Sequence, residues 1–135
     1  YNGNSLSLSA ALATLEELGA AGGEPLRRLN ELTSRLAGDL QDLISTSGQA
    51  GLVQVVGSML QVYFTNRSEI TTYRQSLECD MEKFSRFREL MLTRGVYFHP
   101  DGSERLMLST AHTREDVELI LEAARTSLAE LDMPN

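Results

Sequence analysis

The chain has a single cysteine and no long apolar run, and these two absences argue against several classes of protein. Cys79 is the only cysteine among 135 residues, so no internal disulfide can form, and a solvated or buried thiol in a reducing compartment is the plain interpretation. We therefore expect a cytoplasmic protein. No apolar run approaches the ~20 residues of a membrane span, and the first residues lack the basic and hydrophobic regions of a signal peptide. We expect no membrane partner.

Positive charge is also scarce. Nineteen acidic residues against twelve basic ones give a formal net charge of −7, and no lysine or arginine cluster is long enough to bind a phosphate backbone. The sequence therefore indicates no nucleic-acid partner. A domain near this length buries roughly two thirds of the surface that its unfolded chain exposes, so we expect residues 1–135 to fold as a single domain.

Self-contained catalytic and metal-binding motifs are absent from the sequence. It contains no HExxH, no CxxC, no glycine-rich phosphate loop and no nucleophile elbow. His99 and His112 lack the companion cysteine or spaced carboxylate that a metal site needs, so capping or packing roles are the favoured interpretation. Nothing near Cys79 predicts a lowered thiol pKa. We expect no catalytic residue and no metal ligand in this chain.

Helical periodicity predicts four helices. The first begins where Ser5 or Ser7 can cap it and stops at the glycines of residues 19–23. The second begins near Pro25 and carries a stripe of leucines that we interpret as core. The third runs from about Glu78 to Thr93, and the fourth from about Arg114 to Leu131. Thr113 and Asp116, three residues apart, give the fourth helix its start signal.

Short apolar segments predict the strands. Leu52–Val56 and residues 59–65 fit either one bulged strand or two paired strands around Gly57 and Ser58. Residues 66–77 are polar and predict a surface loop. Two further apolar segments flank residues 100–102 and predict a tight antiparallel pair. We therefore expect an α+β fold, with a small, mostly antiparallel sheet of three or four strands packed with about four helices.

The order and spacing of many short motifs resemble one known family. The motifs are Asn2-Gly3-Asn4, Gly57-Ser58-Met59, Phe64-Thr65, Asp80, Lys83-Phe84-Ser85-Arg86-Phe87, Met91-Leu92, Arg94-Gly95-Val96-Tyr97, Pro100, Glu104, Ser109 and Ala111-His112-Thr113. Together they resemble the C-terminal part of the glutamate-1-semialdehyde 2,1-aminomutases, which are class III aminotransferases of pyridoxal-phosphate fold type I. One departure is Ser5, which stands where that family usually has proline.

The resemblance implies a place within a larger enzyme. In that family a large cofactor domain precedes a small C-terminal α+β domain, and the enzyme is a homodimer with sites at the subunit boundary. The chain would then be the small domain, its missing partner would be the N-terminal large domain, and residues 1–23 would be a helical segment connecting to it. An amphipathic pattern follows Tyr1 within a few residues, so we expect a fragment of a longer protein.

The resemblance implies pyridoxal phosphate in the complete protein. This chain contains a single lysine, Lys83, that could bind the cofactor covalently. Such enzymes hold the cofactor as a Schiff base to a desolvated lysine. Lys83 lies on an amphipathic helix among acidic residues, which would raise rather than lower its pKa. We therefore expect a surface lysine, no cofactor bound to this chain alone, and no activity without the rest of the enzyme.

Three positions carry over from the resemblance as substrate-side residues. Glu104 matches a family glutamate near the active-site entrance, although from the sequence alone it is a turn carboxylate. Ser58 and Met59 match a segment close to the substrate. Between residues 100 and 109 the chain departs from the family, because it lacks an aromatic residue and gains Arg105.

Three functions stay open at this point. In the first, the chain closes the substrate side of an aminomutase site that converts glutamate-1-semialdehyde to 5-aminolevulinate. Alternatively, it belongs to a class III aminotransferase acting on another amino acid, and in either case the partner is a small-molecule amino substrate. A third alternative is a free-standing, non-catalytic interaction or ligand-binding module. A domain cut from its partner exposes an apolar surface, so we also expect the isolated chain to self-associate.

Overall fold

The computed structural model describes residues 3–133. The elements in chain order are α1 (Ser5–Thr46), β1 (Leu52–Val56), β2 (Met59–Tyr63), α2 (Tyr73–Ser76), α3 (Met81–Thr93), β3 (Leu106–Met107) and α4 (Arg114–Glu130). The strands form one antiparallel sheet in the order β1-β2-β3. The predicted α+β class, with a small antiparallel sheet and four helices, is confirmed.

Helix α1 consists of two helical stretches joined at a break. The backbone leaves helical angles at residues 20–23, where Ala21, Gly22 and Gly23 have positive φ values of 48°, 68° and 84°. The predicted glycine stop lies at this break, and the chain resumes as a helix directly after it. The prediction of Ser5 or Ser7 as the N-cap is wrong, because the side chain of Asn4 accepts the N–H of Ser7 at 3.0 Å. Asn2, the first residue of the predicted turn, lies outside the described residues.

The core forms where the second stretch of α1 and helices α3 and α4 meet one face of the sheet. Leu29, Leu36 and Leu40 of the predicted leucine stripe are buried there. The other buried members come from each remaining layer of the fold: Ile44, Leu60, Val62, Phe64, Phe84, Phe87, Met91, Phe98, Leu108, Val117, Ala123, Ala124, Leu128 and Leu131. The interpretation of the stripe as core is therefore confirmed at these three leucines, whereas Leu26 is exposed.

Strands β1 and β2 form a hairpin, which settles the choice between one bulged strand and two paired strands. Val56 pairs with Met59 across a two-residue turn made by Gly57 and Ser58. Gly57 has a φ of +59°, a region that glycine enters without the steric cost of a side chain. The turn therefore fixes the register that positions Ser58 and Met59.

The predicted strand pair around residues 100–102 is wrong. Residues 96–99 form no strand, and β3 pairs with β2 instead, with Leu106 opposite Leu60. The competing interactions are visible at both ends of the 96–99 segment. The N–H of Val96 bonds the carbonyl of Met91 at the end of α3, and Phe98 packs into the core. These contacts commit the segment to α3 and the core rather than to β3.

Residues 66–77 contain a short helix that the sequence reasoning missed. Thr72 and Gln75 form a capping box at the start of α2. The segment before it is held by Gln54 of β1, whose side-chain amide bonds both the N–H and the carbonyl of Ile70, at 2.9 and 3.2 Å.

No helix within residues 3–133 has the length and apolar character needed to cross a membrane.

Helix α4 starts with the predicted capping box. The hydroxyl of Thr113 accepts the N–H of Asp116 at 3.3 Å, and the Asp116 carboxylate accepts the N–H of Thr113 at 2.8 Å. Hydrogen bonds from Thr113 hold the pKa of the Asp116 carboxyl below its ordinary value, and the bond from the backbone N–H contributes most. Because the lowered pKa favours the folded state only while the carboxylate is ionised, this contribution is present above about pH 4 and is lost as the pH falls further.

Replacing Thr113 with valine should therefore lower the free energy of unfolding by ~1 kcal/mol at pH 7, the usual effect of losing an N-cap. Urea unfolding measures it. The matched control is Thr110→Val, which makes the same chemical change at an exposed threonine outside the helix and should stay within about 0.5 kcal/mol of the parent. Equal losses in the two variants would contradict the capping role.

Candidate functional site

The face of the sheet that points away from the core carries Met59, one of the three residues predicted on the substrate side. Side chains alternate along β2, so Leu60 and Val62 enter the core while Met59, Gln61 and Tyr63 point to the other side, which we call the outer face. Met59 pairs in register with Val56 of β1 and Met107 of β3. All three of these side chains are exposed. We call Val56, Met59 and Met107 the outer-face patch.

Ser58 and Met59 lie together at the hairpin turn. The carbonyl of Ser58 accepts the N–H of Leu108 at 3.1 Å, which ties the turn to the strand beside it. This bond continues the β2–β3 ladder by one residue beyond the paired strands. The backbone at both positions is therefore held from two sides, by the hairpin and by β3.

Glu104 lies in a tight turn that is anchored onto β2. The amide of Gln61, which is buried on the outer face, donates to the carbonyl of Gly102 at 2.6 Å. The N–H of Glu104 bonds the carbonyl of Asp101 at 3.0 Å, while its side chain stays exposed. The anchored turn thus presents the exposed carboxylate of Glu104 at the surface of the chain.

The structure does not bring Glu104 next to Met59. The strands β2 and β3 are antiparallel, with Met59 opposite Met107 and Leu60 opposite Leu106. Moving back along the chain from Leu106 to Glu104 therefore leads away from Met59 and towards Val62. Ser58 and Met59 lie at one end of this ladder and Glu104 lies at the other.

The two histidines each hold a turn. The Nδ1 atom of His99 accepts the N–H of Asp101 at 3.1 Å, and the Nδ1 atom of His112 accepts the N–H of Ser109 at 3.0 Å. Asp101 in turn accepts the N–H of Ser103, which lowers the pKa of its carboxyl. Within residues 3–133 no group of three or more histidine, cysteine or acidic side chains is arranged to hold a metal ion.

Sequence reasoning missed two polar residues of the outer face. Gln61 and Tyr63 share this face with Met59, and the period of two along β2 was the available signal. Burial raises the pKa of the Tyr63 hydroxyl, nearby Cys79 adds to this, and the positive charge of Arg105 acts in the opposite direction. Arg105, the departure from the family pattern, therefore lies near the outer face.

Cys79 is buried, and its thiol is expected to react slowly. Burial raises the pKa of the thiol, partly offset by a hydrogen bond with Thr65, so less thiolate is present near neutral pH. At pH 8 a disulfide reagent should label folded protein at least about tenfold more slowly than urea-unfolded protein. Absorbance of the released thiol measures both rates. Equal rates in the two states would contradict the burial.

Lys83 does not fit a covalent site for pyridoxal phosphate. Its ammonium group donates to Oε1 of Gln49 at 2.7 Å and lies 3.4 Å from a carboxylate oxygen of Asp132. Both contacts engage the amine, whereas a lysine that forms a Schiff base must present its amine to the cofactor. The N-termini of α3 and α4 offer no phosphate cradle either, because Asp80 and Asp116 already fill them with their own carboxylates. The described residues alone do not fit the cofactor.

Comparison with known proteins places this α+β fold among the transaminases. No protein-family profile matches the chain. An omega-transaminase from Sphaerobacter thermophilus superposes with a TM-score of 0.79, at 19% identity, over 96% of this chain and 28% of that one. A glutamate-1-semialdehyde aminomutase from Pseudomonas aeruginosa PAO1 superposes with a TM-score of 0.77, at 21% identity, over 96% and 28%. A transaminase solved with PLP bound gives 0.73, at 19% identity, over 93% and 27%.

These likenesses define the fold. The chain adopts the fold of the C-terminal part of these enzymes, as the resemblance implied. It spans little more than a quarter of the length of the solved chains that it matches.

Proposed function

We propose that this chain works as the C-terminal small domain of a pyridoxal-phosphate-dependent enzyme of the aminotransferase type. The observation that carries the proposal is the superposition of 96% of the chain on only 28% of an omega-transaminase and of an aminomutase. In this proposal a preceding large domain supplies the cofactor and its lysine, and residues 1–23 connect the two domains. The contacts of Lys83 support this division, since the one lysine of the chain is engaged by Gln49 and Asp132.

The role of the chain in that enzyme is to close the substrate side of the site. Two features of the outer face support this role. The outer-face patch leaves Val56, Met59 and Met107 without a cover, which suits an apolar wall against a neighbouring domain. The backbone of the Glu104 turn is anchored through Gln61, which fixes where its carboxylate leaves the chain.

The reaction that we favour is the aminomutase conversion of glutamate-1-semialdehyde to 5-aminolevulinate, an isomerisation. Arg105 beside Tyr63 favours the second candidate, a transaminase acting on another amino acid, because this residue departs from the aminomutase pattern and changes what the mouth of the site can hold. The proposed parent is a cytoplasmic homodimer. A free-standing module stays as a third candidate, supported by the extensive buried core within the chain itself.

The test uses the longer protein encoded by the gene that contains this sequence. Glu104→Gln removes the charge of the turn carboxylate and keeps its shape, so kcat/KM should fall at least about tenfold while the visible absorbance of the bound cofactor is unchanged. Glu118→Gln, at an exposed glutamate on α4, is the matched control and should keep full activity. Equal activity in both variants would remove Glu104 from the site. A start codon directly upstream of the codon for Tyr1 would instead favour the free-standing module.

A further inference from the structure

The turn that carries Glu104 begins at His99. The Nδ1 atom of His99 accepts the N–H of Asp101, two residues further along the chain, at 3.1 Å. A backbone N–H can only donate, so Nδ1 carries no proton in this arrangement and the neutral ring has its proton on Nε2. The ring therefore takes the part that the side-chain oxygen of asparagine or aspartate plays in an Asx turn.

The bond between His99 and Asp101 is the first of a series that shapes the turn. The carboxylate of Asp101 accepts the N–H of Ser103 at 2.9 Å, and the carbonyl of Asp101 accepts the N–H of Glu104 at 3.0 Å. Both acceptors belong to the residue whose N–H is bonded to His99. The orientation of Asp101 thus sets where the backbone of Glu104 lies.

The other contacts of the turn come from groups that do not titrate near neutral pH. Gln61 of β2 donates to the carbonyl of Gly102 at 2.6 Å. Gly102 packs on α3, where a Cβ would lie 2.6 Å from Cε of Met81 and 2.8 Å from Cδ1 of Phe84. An amide, a thioether and a phenyl ring do not change charge with pH. Among these contacts, the one from His99 is therefore the contact whose hydrogen-bonding capacity depends on pH.

The charged group that the structure places beside His99 is Asp101. Hydrogen bonds from Ser103 hold the pKa of the Asp101 carboxyl below its ordinary value, and the charge of His99 contributes a smaller part. No carboxylate of residues 3–133, that of Glu104 included, forms an ion pair with the ring. The side chains that α3 and β2 present to the turn are uncharged. Asp101 thus stays ionised over the range in which an imidazole titrates.

Protonation of the ring exchanges one set of contacts for another. Imidazoles change charge between about pH 5 and 8, and a charged ring carries a proton on both nitrogens. Nδ1 then meets the N–H of Asp101 donor to donor, while the positive ring is attracted to the Asp101 carboxylate. Both effects draw Asp101 away from the geometry that holds Ser103 and Glu104. Because the ordered turn binds one proton fewer, its population falls as the pH falls through this range.

We propose that His99 is a positioning residue for Glu104, and that it holds the turn in place only while its imidazole is neutral. This role rests on the proposed function, in which Glu104 lies on the substrate side of the site. Proton uptake at His99 then lowers activity by moving Glu104, although His99 touches neither substrate nor cofactor. The turn itself can be followed in the 135-residue chain without any activity.

Amide hydrogen exchange, followed by NMR and corrected for the intrinsic rate at each pH, tests the turn in the 135-residue chain. In the parent, protection of the Asp101 and Glu104 amides should be at least about threefold lower at about pH 5.5 than at about pH 7.5, because a hydrogen bond is lost. His99→Asn keeps an acceptor at every pH, and asparagine before proline favours a turn, so protection should change less than about twofold. His99→Leu has no acceptor and should show low protection at both pH values.

His112→Asn is the matched control for the exchange measurement. The Nδ1 atom of His112 also accepts a backbone N–H, that of Ser109 at 3.0 Å, but this bond lies in a different turn. The same replacement at His112 should leave the pH dependence of the Asp101 and Glu104 amides within about twofold of the parent.

The longer protein tests the link between the turn and the site. The ratio of kcat/KM in His99→Asn to kcat/KM in the parent should rise at least about threefold between about pH 7.5 and pH 5.5, because only the parent loses its turn. Taking the ratio cancels the other groups that titrate in both proteins. The visible absorbance of the bound cofactor should be the same in the two proteins at each pH.

Two results would overturn the proposal. The first is protection of the Asp101 amide that does not depend on pH in the parent, or that falls equally in His99→Asn, since His99 would then not hold the turn. The second is protection that depends on His99 while the kcat/KM ratio stays constant with pH, which would separate the turn from the site. A longer protein that transfers no amino group at any pH would overturn the proposed function itself, a failure that the exchange measurement distinguishes from the first result.

Discussion

Phe87→Ala lowers the free energy of unfolding by about 3–5 kcal/mol, the range measured when a large buried aromatic residue is truncated in a core. Phe87 has no exposed surface. Its ring meets Phe64 and Phe98 edge to face, with centroids 5.6 and 5.9 Å away. Removing it therefore takes a partner from the residue after β2 and from the segment before the Glu104 turn, in addition to leaving a cavity.

Urea unfolding followed by circular dichroism measures this loss. The control is Leu92→Ala on the same helix, at a leucine that is largely exposed, where the loss should stay under about 1 kcal/mol. A Phe87→Ala loss as small as that of the control would contradict the described core.

Gly102→Ala should be the second strongly destabilising change, at about 1–3 kcal/mol, because overpacking forces neighbours to move. A Cβ at this position would lie 2.6 Å from Cε of Met81 and 2.8 Å from Cδ1 of Phe84. The methionine end can shift, but the phenylalanine ring is buried in the core. The strain falls on the turn that carries Glu104, so the hydrogen bond from Gln61 should weaken as well.

Thermal and urea unfolding measure the change, and amide hydrogen exchange of Ser103 and Glu104 reports the loosening of the turn. Gly38→Ala is the matched control. Nothing lies within 4 Å of a Cβ there, and the position is inside α1, so alanine should be neutral or stabilising by up to about 1 kcal/mol. A neutral Gly102→Ala would show that the turn is not packed against α3 as described.

Local signals predicted the elements that rest on local chemistry. The capping box at Thr113 and Asp116 and the two-residue turn at Gly57 and Ser58 each require a few residues close in sequence. The capping box appears where it was predicted, and the turn is one of the two alternatives that the sequence left open. The glycines near residue 20 likewise mark the break in α1. These features need no information about distant parts of the chain.

Tertiary contacts decided the elements that the sequence did not predict. Residues 96–99 have the composition of a strand, but Phe98 is buried against Phe87 and the segment pairs with no strand. Residues 66–77 look like a loop, yet Gln54 fixes them from β1 at a separation of sixteen residues. These two contacts have no local signature, whereas the capping box of Thr72 and Gln75 at the start of α2 was a local signal that sequence reasoning missed.

The candidate site also has one part that local signals predict and another part that depends on tertiary contacts. Ser58 and Met59 are neighbours in sequence and share one turn, as expected. Their distance from Glu104 depends on the β2–β3 register, which follows from where β3 pairs and not from the composition of either strand. Gln61, which anchors the Glu104 turn, shows its role only when the turn is seen to lie on β2.

The proposed function requires that these residues shape an active site whose cofactor-binding lysine lies in another part of a longer protein. The most direct test reduces the longer protein with borohydride in the presence of pyridoxal phosphate and locates the labelled lysine by mass spectrometry. We expect a label on a lysine that precedes Tyr1 in the longer protein, and no amino-group transfer by the 135-residue chain alone. A label on Lys83 together with unaided amino-group transfer by the isolated chain would contradict it.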